Sequence, residues 1–121
     1  MSQFEKTYDL EERTMEFSSN LIIFCKSCVK DIVTVPLINQ LIRSGTSIGA
    51  NYREANGASS KKDFQNKIFI CKKEAKETLY WLELIGKAID DEKLKKHCRD
   101  LWQEAKEFIL IFGKIAYSTK N

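Results

Sequence analysis

An all-α fold, an antiparallel up-down-up-down four-helix bundle, is what this sequence predicts. Three observations carry that expectation. Apolar residues recur at alternating spacings of three and four over four successive stretches, the signature of helices packed at a shallow angle. The 121 residues contain only one Pro and five Gly, too few breakers for a chain of many short strands. The four stretches are joined by short connections, which makes neighbouring helices antiparallel. One domain over residues 1–121 is expected, with helices at about 9–31, 36–55, 60–88 and 91–117.

The first helix is expected to open with Asp9 as N-cap, with Glu12 reaching back as in a capping box and Glu11 at the positive end of the dipole. Its seam reads Leu10, Thr14, Phe17, Leu21, Phe24, Cys28 and Ile32. A second line, Met15, Ile22 and Val29, repeats every seven residues beside it and widens the apolar face. A break at Asp31–Val35 precedes Pro36, which belongs in a helix's first turn because it has no amide proton to donate. Leu37, Leu41, Ser44, Ile48 and Tyr52 then mark the second seam.

That second helix carries SGTSIGAN, a run of poor helix formers in which each interior Gly costs roughly 1 kcal/mol against Ala. Such a run is tolerated where two backbones approach closely or where a polar partner meets the helix, and close packing is the better reading. Asn56-Gly57 stops the helix. The third helix is expected to start at Ser59 or Ser60, with a seam of Phe64, Ile68, Cys71, Ala75, Thr78, Leu82, Ile85 and Ile89. The fourth starts near Asp90 or Asp91 and runs through Leu94, Cys98, Leu101, Ala105, Phe108, Phe112 and Ile115.

Roughly three apolar positions per heptad suffice for an isolated bundle. Three of the helices exceed that, so Met15, Ile22, Val29, Tyr80, Trp81, Leu84 and Trp102 are candidates for an interface between copies.

Composition is that of an ordinary globular chain, 43% apolar and 31% charged, with a mild net charge of +3. Met1–Asp9 lacks a basic segment followed by an apolar run, and the longest strictly apolar run, Leu21–Cys25, cannot span a bilayer. A cytoplasmic protein without a membrane partner is expected, its four cysteines free thiols. Cys25-x-x-Cys28 lies in a helical pattern among Ile22, Ile23, Phe24 and Val29, not at a helix N-terminus where a reactive thiol is made. It reads as buried packing, as do Cys71 and Cys98. No second CxxC completes a tetrahedral zinc set even with His97 counted, so no metal and no cofactor are expected.

Chemistry is equally unsupported. His97 and Cys98 are adjacent on a helix and point about 100° apart, so they do not form a nucleophile–base pair. Phosphate-binding glycine loops and HExxH are absent. The protein reads as non-enzymatic.

The basic residues are more informative. Arg43 and Arg53 flank the small-residue run, and Lys61, Lys62, Lys67, Lys72, Lys73 and Lys76 follow on the third helix with Phe69 interleaved. Acids concentrate elsewhere, at Glu5, Asp9, Glu11, Glu12 and Glu16. Such cations suit phosphates, and a ring of copies would multiply the patch by avidity. The same lysines would also serve as a solvated face kept for solubility. Two readings stand: a module binding structured RNA or DNA through these residues, or a protein–protein scaffold in which the lysines are incidental.

Finally, SIGANYREA, SKKDF and KEAKETLYWLELI resemble the four-helix-bundle family of 23S rRNA intervening-sequence proteins. The family pattern Ser-Ile-x-x-Asn-x-x-Glu is matched by Ser47, Ile48, Asn51 and Glu54, its following Phe by Phe64, and its late Glu by Glu77. The chain departs from many members in Ala55, where they have Gly, and in Lys73-Glu74, where they have Gly-Ser, which suggests a subgroup. The resemblance implies homo-oligomeric rings, typically pentamers. It also implies kinship with the accessory protein of diversity-generating retroelements, a barrel-shaped pentamer that binds nucleic acid and a reverse transcriptase. Ser47, Asn51, Glu54 and Glu77 are expected to form an internal polar network between the second and third helices.

Overall fold

In the computed structural model of the chain, residues 9–119 are described, and they form four α-helices: α1 Leu10–Ser27, α2 Thr34–Asn56, α3 Lys61–Ala88 and α4 Glu92–Ser118. No strand occurs among the described residues. Each helix packs on the next, and α1 meets α4 far less extensively than consecutive helices meet, leaving a cleft along that edge. Glu5 lies outside the described residues.

The predicted seams are the core. Leu10, Phe17, Leu21, Phe24 and Cys28 meet Leu41 and Ile48 of α2, Ile68, Cys71, Leu82 and Ile85 of α3, and Leu101, Phe108 and Phe112 of α4 in one buried cluster. Phe17 and Phe108 meet edge to face across the α1–α4 contact, ring centroids 5.4 Å apart. The buried hydroxyls stay hydrogen-bonded: Thr14 Oγ1 donates to the Leu10 carbonyl at 2.7 Å, and Thr78 Oγ1 lies 2.9 Å from Ser44 Oγ across α2 and α3.

The small-residue run of α2 serves close packing. A Cβ on Gly45 would sit 2.2 Å from Leu21 Cδ2, and one on Gly49 would sit 3.0 Å from Thr14 Oγ1. Both glycines face α1, and no described residue has a positive φ, so it is space and not backbone conformation that excludes a side chain there.

The ends of α1 depart from expectation. Asp9 is the N-cap residue, yet its side chain accepts no capping bond, so the box with Glu12 is not made. The helix stops at Ser27 and not near Asp31, because two local devices compete with further helix. Lys30 Nζ donates to the carbonyls of Cys25, Lys26 and Cys28 at 2.8 Å each, satisfying the helix's terminal acceptors. Asp31 Oδ1 accepts the amides of Val33 and Thr34 at 2.9 Å, while Thr34 Oγ1 accepts the Asp31 amide and donates to Val29. This Asp–Thr turn starts α2 two residues before Pro36, which still falls in the first turn. Ile32, expected in the seam, is 91% exposed as a result. At the other helix starts Ser60 accepts the Asp63 amide and Asp91 accepts the Leu94 amide, both at 3.0 Å.

Candidate nucleic-acid interface

The seam of α3 dictates its opposite face. With Phe64, Ile68, Cys71, Ala75, Thr78 and Leu82 turned inward, the outermost corner of the helix falls on Lys62, Asn66, Phe69, Lys73, Lys76 and Tyr80, all exposed. Among the described residues Lys62, Lys73 and Lys76 make no ion pair. Lys72 lies off this corner, on the side facing α4. There it runs across Gly113, where a Cβ would stand 3.7 Å from Lys72 Nζ and 3.8 Å from its Cε. It lines a groove of about 530 Å³ together with Ile109, Leu110, Gly113, Lys114 and Tyr117. Lys114 was not among the residues expected here; only the packing of α4 on α3 brings it beside Lys72.

The remaining predicted cations are engaged within the molecule. Arg43 pairs with Glu77 and, at 3.5 Å, with Glu74, clamping α2 to α3. Lys67 Nζ is 2.7 Å from Glu54 Oε1, and this hydrogen bond raises the lysine's pKa. Arg53 reaches Glu11 of α1 at 4.0 Å. Lys61 is exposed at the start of α3. The sequence-level cluster is thus divided into a solvent-facing stripe on α3 and struts between helices.

The family residues behave as struts as well. Asn51 Nδ2 donates to Ser47 O and Ser47 Oγ at 2.9 Å, inside α2. Glu54 takes Lys67, and Glu77 takes Arg43 and the Trp81 indole N–H at 3.0 Å. These are three separate links along the α2–α3 face and not one internal network; two of them set the register of the pair.

Opposite charge collects at the open edge. Between α1 and α4 a cleft of about 670 Å³ is lined by Asp9, Glu12, Glu16, Asp100, Glu104 and Glu107, with Arg13 the cation among them. Arg13 grips Glu104 with two bonds of 2.7 and 2.9 Å and Glu107 with one of 2.6 Å, and lies over the Phe108 ring. The Glu104 hydrogen bond, set against desolvation, leaves its pKa raised. The bundle thus carries lysines on the outer corner of α3 and carboxylates at the α1–α4 edge.

Of the interface candidates, Met15 and Ile22 stand exposed along α1, and Val29, beyond its end, is 73% exposed. Tyr80 is exposed and stacks edge-on against Trp81, while Trp81, Leu84 and Trp102 are half-buried. The indole of Trp102 donates to Glu83 at 2.8 Å, under Lys106 Nζ. Ile23, Ile32, Val33 and Val35 extend the exposed apolar surface around the α1–α2 turn.

Among the described residues no cysteine is poised as a nucleophile. All four cysteines are buried; desolvation pushes Cys25 and Cys71 up to about 12 and Cys98 up to about 11. The Cys25–Cys28 pair sits at the end of α1, where the helix dipole is negative, and not in mid-helix as its pattern suggested. His97 packs edge-on against Phe24 at 5.4 Å. Among the described residues no group of three His, Cys, Asp or Glu could hold a metal ion, and no helix is long and apolar enough to cross a membrane.

Comparison with known proteins agrees with the bundle. A crystal structure of a protein of unknown function from the S23 ribosomal protein family of Bacteroides thetaiotaomicron is similar, with a TM-score of 0.76 and 35% identity, over 88% of this chain and 96% of that one. No curated protein matches. The model of the 23S rRNA-intervening sequence protein family matches residues 6–110, and to that family this chain belongs.

Proposed function

We propose that the protein is a non-enzymatic, homo-oligomeric bundle that binds nucleic acid, structured RNA or DNA, through α3. The observation that carries this reading is the solvent-facing stripe Lys62, Lys73 and Lys76, joined by Lys72 and Lys114 at the α3–α4 groove and segregated from the acidic α1–α4 cleft. Lysines supply phosphate contacts without base specificity, so recognition follows shape and charge. The exposed line Met15, Ile22 and Val29 supports self-association, and the family resemblance points to a pentamer. A ring raises weak protomer contacts to useful affinity. Four buried thiols fit a reducing compartment, the cytoplasm.

The second reading, a protein scaffold, draws on the exposed Ile23, Ile32, Val33 and Val35 around the α1–α2 turn. Reversing charge at Lys72, Lys73 and Lys76 to Glu separates the two. On the first reading the triple variant keeps its mass in light scattering and loses RNA and DNA binding. On the second it retains whatever binding the wild type has. A protomer mass for the wild type at micromolar concentration would contradict the oligomer.

A further inference from the structure

Resting on that nucleic-acid reading, we infer that the α3–α4 groove takes an unpaired, single-stranded stretch. Its bases stack on Phe69 and Tyr117, and its phosphates lie on Lys72, Lys73, Lys76 and Lys114.

The aromatic side chains carry the inference. Phe69 is 49% exposed at the centre of a stripe whose neighbours are Asn66, Lys73 and lysines farther along, and Tyr117 is 80% exposed on α4. Neither ring fills the core. A solvation face needs lysines and gains nothing from Phe69.

Tyr117 lines the groove, and Phe69 stands beside it on the outer corner of α3, one turn before Lys72. Gln65 Nε2 donates to the Ala116 carbonyl at 3.2 Å, and one turn beyond Phe69 the Lys72 ammonium crosses Gly113. These two contacts bracket Phe69 on α3 against the Gly113–Tyr117 turn of α4. The groove of about 530 Å³ is lined by Lys72, Lys114 and Tyr117 with the apolar Ile109 and exposed Leu110, and no carboxylate is in its lining.

Cations alone would serve a duplex, whose base faces are hidden in its own stack. Ring faces beside cations and apolar side chains are matched by a strand that shows its bases as well as its phosphates. The acidic cleft on the far side of α4 keeps the strand from crossing that helix.

The test uses the full-length oligomer and three labelled probes: oligo(U), oligo(dT) and a fully paired hairpin with the same number of phosphates. Fluorescence anisotropy at low salt is read for the wild type, for Phe69→Ala with Tyr117→Ala, and for the Lys72, Lys73 and Lys76 to Glu variant. Both aromatic residues are exposed, so the double variant is expected to keep its mass and melting temperature.

The expected result is wild-type preference for the single strands and a loss of about tenfold or more on them in the aromatic variant. Its hairpin binding should change less than twofold, while the lysine variant loses all three probes. Aromatic substitutions that leave single-strand binding unchanged, or weaken hairpin and single strands alike, overturn the inference while the nucleic-acid reading stands. A wild type that binds none of the probes at low salt overturns both.

Discussion

Replacing Gly45 by Ala should destabilise the protein although it improves the helix. In an exposed helix interior the change gains about 1 kcal/mol. Here the new Cβ would lie 2.2 Å from Leu21 Cδ2 and 3.7 Å from Phe17 Cε2. Carbon atoms pack comfortably at about 3.5–4.0 Å, so the Leu21 methyl must retreat by roughly 1.5 Å. Leu21 and Phe17 are both in the buried core, and the retreat requires a strained rotamer or a wider α1–α2 spacing. Overpacking of this kind costs about 1–3 kcal/mol, and a clash this deep belongs at the upper end. The balance is a net loss of about 2 kcal/mol, a fall in melting temperature of roughly 6–10 °C for a chain of this length.

Gly86→Ala is the control. Its Cβ would meet only Cys98 Sγ at an ordinary 3.6 Å, so it should gain about 0.5–1 kcal/mol. Thermal melts by circular dichroism, at one protomer concentration because the protein is read as an oligomer, measure both. In a Leu21→Ala background Gly45→Ala should become neutral or stabilising, a coupling of about 2 kcal/mol or more. A Gly45→Ala protein that melts at or above the wild type, additive with Leu21→Ala, would refute the close-packing account of the small-residue run.

Three further outcomes are expected. Arg13→Met leaves Glu104 and Glu107 unpaired in an acidic cleft and should cost about 1–3 kcal/mol at low salt, an effect that shrinks in 1 M NaCl and is measured by urea unfolding. The cysteines have raised folded-state pKa values, so the unfolded chain loses its thiol protons first. Stability should therefore fall above about pH 9, by at most about 1.4 kcal/mol per pH unit per thiol, and Cys71→Ala should lessen the slope. Asp31 accepts the Thr34 and Val33 amides, which lower its pKa. Asp31→Ala should lower the melting temperature at neutral pH, and the difference should vanish as pH falls through the carboxylate range and the wild-type side chain is protonated.

The heptad seams were legible because burial repeats along each helix. Two things were not legible, for different reasons. Helix α1 looked longer because Cys28 and Ile32 continue its spacing. The Lys30 and Asp31 side chains outcompete another helical turn, and Cys28 stays buried without being helical. The division of the cations depends on register between helices. Nothing along the chain says that Arg43 meets Glu74 and Glu77, that Lys67 meets Glu54, or that Lys72 shares a groove with Lys114. The acidic cleft was half visible in Asp9, Glu12 and Glu16; its other wall, Asp100, Glu104 and Glu107, belongs to a helix nearly a hundred residues away.

The claim on which the account turns is that exposed α3 lysines contact phosphates. Its most direct test is the slope of log affinity against log salt, for a structured RNA and a duplex DNA binding the assembled oligomer. Each phosphate neutralised on B-DNA contributes about −0.9 to that slope, and somewhat less on a single strand. The account predicts steep salt dependence for the wild type, and a slope made shallower by about one unit per engaged site when Lys73 or Lys76 is changed to Gln. Binding with the same slope in wild type and variants, or no binding at low salt, would contradict it.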